Sequence, residues 1–146
     1  MRTIITTVLL VFTLAATAQT TSELRYKYVE KHLGLDKPTF DKLAPTLKAY
    51  IKAMKEAGDI YDDVKDEYKS QIKGNKLSDK QAAKLNAAKL KSEAKELEVK
   101  NAYYTKFQTV IAERYIFKLF KLASDKKSKF ESSDKKKKKK ADDDED

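Results

Sequence analysis

The chain has 146 residues, a formal net charge of +9 and 38% charged residues, a length that suits one domain. It has no Cys, three Gly and two Pro. That excludes disulfides, thiol catalysis and Cys-based metal sites, and it leaves few turns for a strand-rich fold.

The first eighteen residues read as a secretory signal peptide. Arg2 supplies the positive start, residues 3–15 are apolar, and Ala16-Thr17-Ala18 places small residues at both positions a signal peptidase reads. Cleavage is expected after Ala18. The apolar run is short for a membrane anchor. Residues 19–131 then form an α-helical domain outside the cytoplasm, periplasmic or secreted. Without Cys, its stability must come from helix packing alone.

The first helix is expected over 22–33, with Leu24, Tyr28 and Leu33 roughly on one side and Val29 beside them. Gly34 is a natural stop, Asp36 sits where an N-cap belongs, and Pro38 suits a first turn. A long helix follows. Phe40, Leu43, Leu47, Tyr50, Met54, Ala57, Tyr61, Val64 and Tyr68 alternate spacings of 3 and 4, an unbroken a/d seam. The spacing predicts one helix to about residue 72. Gly58 lies mid-helix, at a cost of about 1 kcal/mol relative to Ala; a bend or a close packing contact would account for it.

Gly74-Asn75 closes that helix, and Leu77-Ser78-Asp79-Lys80-Gln81 opens the next. In this capping box the Ser78 hydroxyl accepts from the Gln81 N–H while the Gln81 amide reaches back. Leu77 is placed to staple the turn. The third helix is expected to run to about Thr109 with two apolar stripes, one of Ala83, Leu90, Ala94, Leu97, Tyr104 and Ile111, the other of Leu85, Val99, Tyr103, Phe107 and Val110. Two stripes predict contacts on two sides. After a soft break near 109–112, a last helix turns Ile116, Leu119, Phe120, Ala123 and Phe130 inward. Residues 132–146 end in six Lys (135–140), Ala141 and five acids, read as a disordered, self-neutralising tail.

Leu77-Ser78-x-x-Gln81 in an exported, all-helical layout resembles the Spy/CpxP-like periplasmic family, known for paired L-T-x-x-Q motifs. Ser78 stands where the family has Thr. The second copy falls on Leu35 and Asp36, which keep the Leu and a capping side chain but lack the Gln. The resemblance covers about residues 22–131. It implies an elongated long-helix hairpin of about four helices that dimerises into a cradle. It further implies an ATP-independent chaperone, or holdase, active in envelope stress; the other reading is a regulatory module docked on a membrane sensor.

No Ser-His-Asp grouping, Gly-rich phosphate loop or HExxH spacing occurs, so neither enzyme activity nor a cofactor is expected. His32 is the only His, at a helix C-terminus where an imidazole sits near carbonyls, so no metal site is assigned. Glu56, Asp59, Asp62, Asp63, Asp66 and Glu67 crowd one helical segment; a solvated face, or one paired with Lys, is expected rather than a cation loop. The candidate client surface joins rings and cations: Arg25, Tyr26, Tyr28, Tyr103, Tyr104, Arg114, Tyr115 and Phe117. Aromatic rings bind apolar segments while charge steers encounter. Phosphate binding and base stacking suit the same composition, but export argues against nucleic acid. Unfolded proteins and a second copy of the chain are the expected partners.

Overall fold

A first helix, α1 (Thr21–Leu33), begins one residue before the expected start and is opened by a cap on Thr20. Thr20 Oγ1 accepts from the Glu23 N–H at 3.3 Å, and a Glu23 carboxylate oxygen accepts from the Thr20 N–H at 3.0 Å. This is a full capping box. The helix stops at Gly34, whose φ of 81° is the left-handed conformation that a Cβ disfavours. Val29 and Leu33 are fully buried, while Leu24 and Tyr28 are half-buried. The computed structural model describes residues 20–125; the expected signal segment, the tail 132–146 and Phe130 lie outside them.

Asp36 opens α2 (Lys37–Glu67), its carboxylate accepting from the Thr39 N–H at 3.2 Å. Pro38 takes the first turn and Pro45 is carried inside the helix. The 31 residues extend roughly 45 Å at ~1.5 Å per residue. The long seam is real but unevenly buried. Phe40, Leu43, Leu47, Tyr50 and Ala57 are buried, whereas Met54, Tyr61 and Val64 are half-buried. The cause is coverage. Helix α1 and the later segments that carry Val99, Phe107, Ile116 and Leu119 close over the N-terminal half of α2 in one core cluster, and the buried residues α2 supplies to it end at Ile51.

The helix does not run unbroken to residue 72. Tyr68 leaves helical geometry (φ −108°, ψ 17°), and a short α3 (Lys69–Lys73) follows. Tyr68 is buried, its hydroxyl accepts from Lys84 Nζ at 3.2 Å, and Lys84 also lies 5.9 Å from its ring. The turn after α3 rests on Asn75, not on Gly74. Asn75 has φ 51° while Gly74 keeps φ −83°. The Lys76 N–H reaches back to the Gln71 carbonyl at 2.9 Å, the long-range bond of a Schellman ending.

Ser78 then caps α4 (Asp79–Gln108). Its Oγ accepts from the Gln81 N–H at 3.3 Å, and Gln81 Oε1 accepts from the Ser78 N–H at 3.0 Å. The fold's largest packing surface is α4 against α2. Lys84 meets Tyr68, Ser92 meets Ala57, and Tyr103 meets Tyr50. Partners on α2 retreat as α4 advances, so the two helices run antiparallel. Thr109 ends α4, and α5 (Glu113–Ser124) packs its Ile116, Leu119 and Ala123 into the core, mainly against α1. The fold is therefore all-α with five helices, and no strand occurs among the described residues.

Two substitutions test this account. Ser78→Ala is expected to lower unfolding stability by about 1 kcal/mol in a urea titration, because one helix start loses its acceptor. Gly58→Ala is expected to raise it by about 0.5–1 kcal/mol. A Cβ at Gly58 meets no atom within 4 Å, so the methyl gains helix propensity without a clash.

Candidate functional site

The eight residues expected to form one cationic-aromatic surface divide between core and solvent. Tyr26 is half-buried against the core, 5.9 Å from the Phe40 ring, with Lys48 Nζ 4.9 Å from its centroid. Burial pushes its hydroxyl pKa up, with Glu30 adding to the shift. Tyr28 donates to Asp125 Oδ2 at 3.1 Å, tying α1 to the end of α5, and its ring lies 4.6 Å from that of His32. Tyr103 packs into the core against Tyr50, with Lys106 Nζ 4.5 Å above it. Tyr115 is half-buried, and Arg114 lies 5.0 Å over its ring. Only Tyr104, Arg114 and Phe117 of the eight are exposed. The remaining five are partly consumed by packing, because each sits on the side of its helix that faces a neighbour.

Tyr50 is the centre of that packing. It is 1% exposed, with ring centroids of Tyr103 and Phe107 at 5.5 Å and Phe120 at 5.7 Å. Desolvation pushes its hydroxyl pKa up to about 12, against a lowering effect from Arg25 and with a smaller raising effect from Glu96. Burial also lowers the Arg25 guanidinium pKa, opposed by Tyr50 and Glu96. Arg25 and Glu96 border a cleft of about 510 Å³ between α1, α2, α4 and the end of α5, with Met54, Gly58, Asp59 and Lys100 around it. Its wall mixes both signs of charge with apolar groups. That lacks the few convergent polar groups on an apolar lining that mark a small-molecule pocket.

The exposed apolar face lies elsewhere, and three of its four large residues belong to the first apolar stripe of α4, which was expected to make a contact of its own. Leu90 is 67% exposed, Leu97 59%, Tyr104 39% and Phe117 75%. Of the first apolar stripe read in α4, Ala83, Leu90, Ala94, Leu97 and Tyr104 all face solvent, and Ile111 alone is buried. The other side of the helix packs on α2 through Leu85, Ala88, Ser92, Val99 and Phe107. Ser92 was not singled out by its sequence, yet it is 4% exposed and its hydroxyl donates to the Ala57 carbonyl at 2.8 Å. A small residue there lets α2 and α4 approach closely. The Tyr104 hydroxyl donates to Glu113 at 3.1 Å, and its ring lies 6.5 Å from Phe120. Glu113, Phe117 and Phe120 share one stripe of α5, so Phe117 continues the apolar row from α4 onto α5.

The capping residues act locally. Asp36, Ser78 and Gln81 hold helix starts, Leu35 packs against the core, and Leu77 is 37% exposed. The acidic segment of α2 pairs with lysines close in sequence: Lys55 to Asp59 at 2.6 Å and Lys52 to Glu56 at 3.9 Å within the helix, and Lys69 of α3 to Asp66 at 3.9 Å. Among the described residues no group of three or more His, Asp or Glu is arranged to hold a metal, and no helix is long and apolar enough to cross a membrane. Compared with family models, curated proteins and solved structures, the chain finds no match.

The buried Tyr50 hydroxyl has a pH signature. Its pKa is raised in the folded state, so its contribution is whole below the unfolded value near 10 and is lost as pH rises toward 12. Between pH 9 and pH 11 the protein is expected to lose about 1 kcal/mol more stability than Tyr50→Phe, in paired urea titrations. Lysine titration is common to both proteins and cancels in the difference.

Proposed function

We propose that the protein is an exported, non-enzymatic, protein-binding helical protein of the kind the Spy/CpxP-like resemblance implies. In this reading it holds unfolded or partly folded chains without ATP. Its long helices form an elongated hairpin, and it pairs with a second copy. One observation carries the proposal: Leu90, Leu97, Tyr104 and Phe117 form an exposed apolar row on a strongly charged surface. Lys84, Lys91, Lys95 and Lys106 are exposed on the same helix, and Arg114, Lys118 and Lys121 on α5. Apolar groups ringed by mobile charge suit weak contact with many sequences, since apolar burial is non-directional and charge governs the rate of encounter. Monomeric proteins seldom leave contiguous apolar surface uncovered without an interaction to serve.

The test is aggregation of a chemically unfolded client with residues 19–146, without ATP, at low and moderate salt. Suppression at near-stoichiometric amounts is expected. Leu90→Lys with Leu97→Lys is expected to weaken suppression several-fold while helix content by circular dichroism stays unchanged, because both positions are solvent-exposed. Absence of suppression at either salt removes the holdase reading. Stoichiometric capture of one folded envelope domain would favour the regulatory module instead.

A further inference from the structure

The solvent-facing side of α4 carries a second heptad seam. Ala83, Ala87, Leu90, Ala94, Leu97, Asn101 and Tyr104 alternate spacings of 4 and 3, and every one of them is exposed. The core-facing residues Leu85, Ser92 and Val99 lie on the opposite side of the helix. This second seam runs about 30 Å at ~1.5 Å per residue, or three heptads. Among the described residues nothing covers it. Its d positions hold Ala83, Leu90, Leu97 and Tyr104, and its a positions hold Ala87, Ala94 and Asn101.

We infer that this seam pairs antiparallel with the same seam of a second copy, about a two-fold axis passing between Lys95 and Glu96. Size and charge both point there. An antiparallel pair stacks each a position on a d position. Ala94 then meets Leu97 of the second copy and Ala87 meets its Tyr104, small against large in both layers, while Leu90 meets its Asn101. A parallel pair stacks like on like, leaving gaps at the Ala layers while Leu and Tyr hold the helices apart. Small a residues also permit interaxial distances near the lower end of about 8–10 Å.

The flanking charges choose the same arrangement. In an antiparallel pair the e positions face each other and so do the g positions. About this axis Lys91 faces Glu98 of the second copy, and Glu93 faces its Lys100; the two-fold repeats both pairs. Sliding the helices by one heptad brings Glu98 against Glu98 and Lys100 against Lys100 in one direction. In the other it brings Lys91 against Lys91 and Glu93 against Glu93. A parallel pair places Glu93 against Glu98. Like charges held at a seam cost stability and act as selectors of register. Within one chain Glu93 and Glu98 touch Lys89 at 3.9 Å and Lys95 at 2.8 Å on their own helix. Such exposed pairs contribute little and exchange readily for partners across an interface. A charge pattern antisymmetric about one point is complementary to itself, which is why the occupant is a second copy rather than an unrelated helix.

This assignment rests on the dimer part of the proposed function and supplies its interface. It also places client binding and self-association in competition for Leu90 and Leu97. The test is sedimentation equilibrium of the purified chain at low salt, with helix content checked by circular dichroism. A concentration-dependent dimer is expected. Lys91→Glu alone and Glu98→Lys alone should each raise the dissociation constant about tenfold, and the two together should restore it to within about threefold. A chain that stays monomeric at all concentrations overturns the dimer and the interface together. A dimer that the single changes leave untouched overturns the interface and keeps the dimer. A dimer tightened by Glu98→Lys is parallel, since that change relieves the contact with Glu93, and it overturns the antiparallel assignment.

Discussion

Everything in this fold leans on the ring of Tyr50. One side chain from the middle of α2 touches Tyr103 and Phe107 of α4 and Phe120 of α5 at centroid separations of 5.5–5.7 Å. Phe107 closes the cluster by meeting Phe120 at 6.0 Å. In a chain without cysteine, such a cluster takes the place of a covalent staple. Large rings cover much area for few rotatable bonds, so ordering them costs little entropy relative to the surface they remove from water. The arrangement has a cost, because the Tyr50 hydroxyl is desolvated, and Arg25 and Glu96 act on it electrostatically from α1 and α4.

From that cluster the molecule becomes simpler toward its far end. Near Tyr50 four helices converge. Past Ile51 the core cluster contains no further buried residue of α2, and past Ala57 the apolar side chains of that helix become half-buried. The Ser92 hydroxyl on the Ala57 carbonyl and the Lys84 amine on Tyr68 then hold the two long helices together through polar contacts. A helix in that position has one face packed and one face in water. For α4 the outer face is not polar. It keeps Leu90 and Leu97 in solvent, and this apolar row at heptad spacing is the feature on which the proposed protein binding and the proposed self-pairing both rest.

The helix starts could be read from residues alone, because a cap involves side chains and backbone within three positions. Asp36, Ser78 and Gln81 do in the structure what their spacing predicts, and Gly34 takes the left-handed conformation that ends α1. The Thr20–Glu23 box is equally legible in the residues, and it starts the helix at Thr21, one residue before the expected 22. The break at Tyr68 was not legible. Its a/d spacing continues the seam, and what marks the site is Lys84, which arrives from another helix.

The sequence by itself determined the helices, most of their ends, the absence of disulfides and the existence of two apolar stripes on α4. Those properties depend on neighbours within one or two turns. Only the tertiary structure decided which stripe is core. Both have helical spacing and similar residues, but Ser92, weak as a hydrophobic signal, lets α2 approach on its side and leaves Leu90 and Leu97 facing out. The same docking turned Tyr26, Tyr103 and Tyr115 toward neighbours and left Phe117 in water. A helix's periodicity states that a face exists. What packs on that face is set by the relative position of distant segments, and no local pattern encodes it.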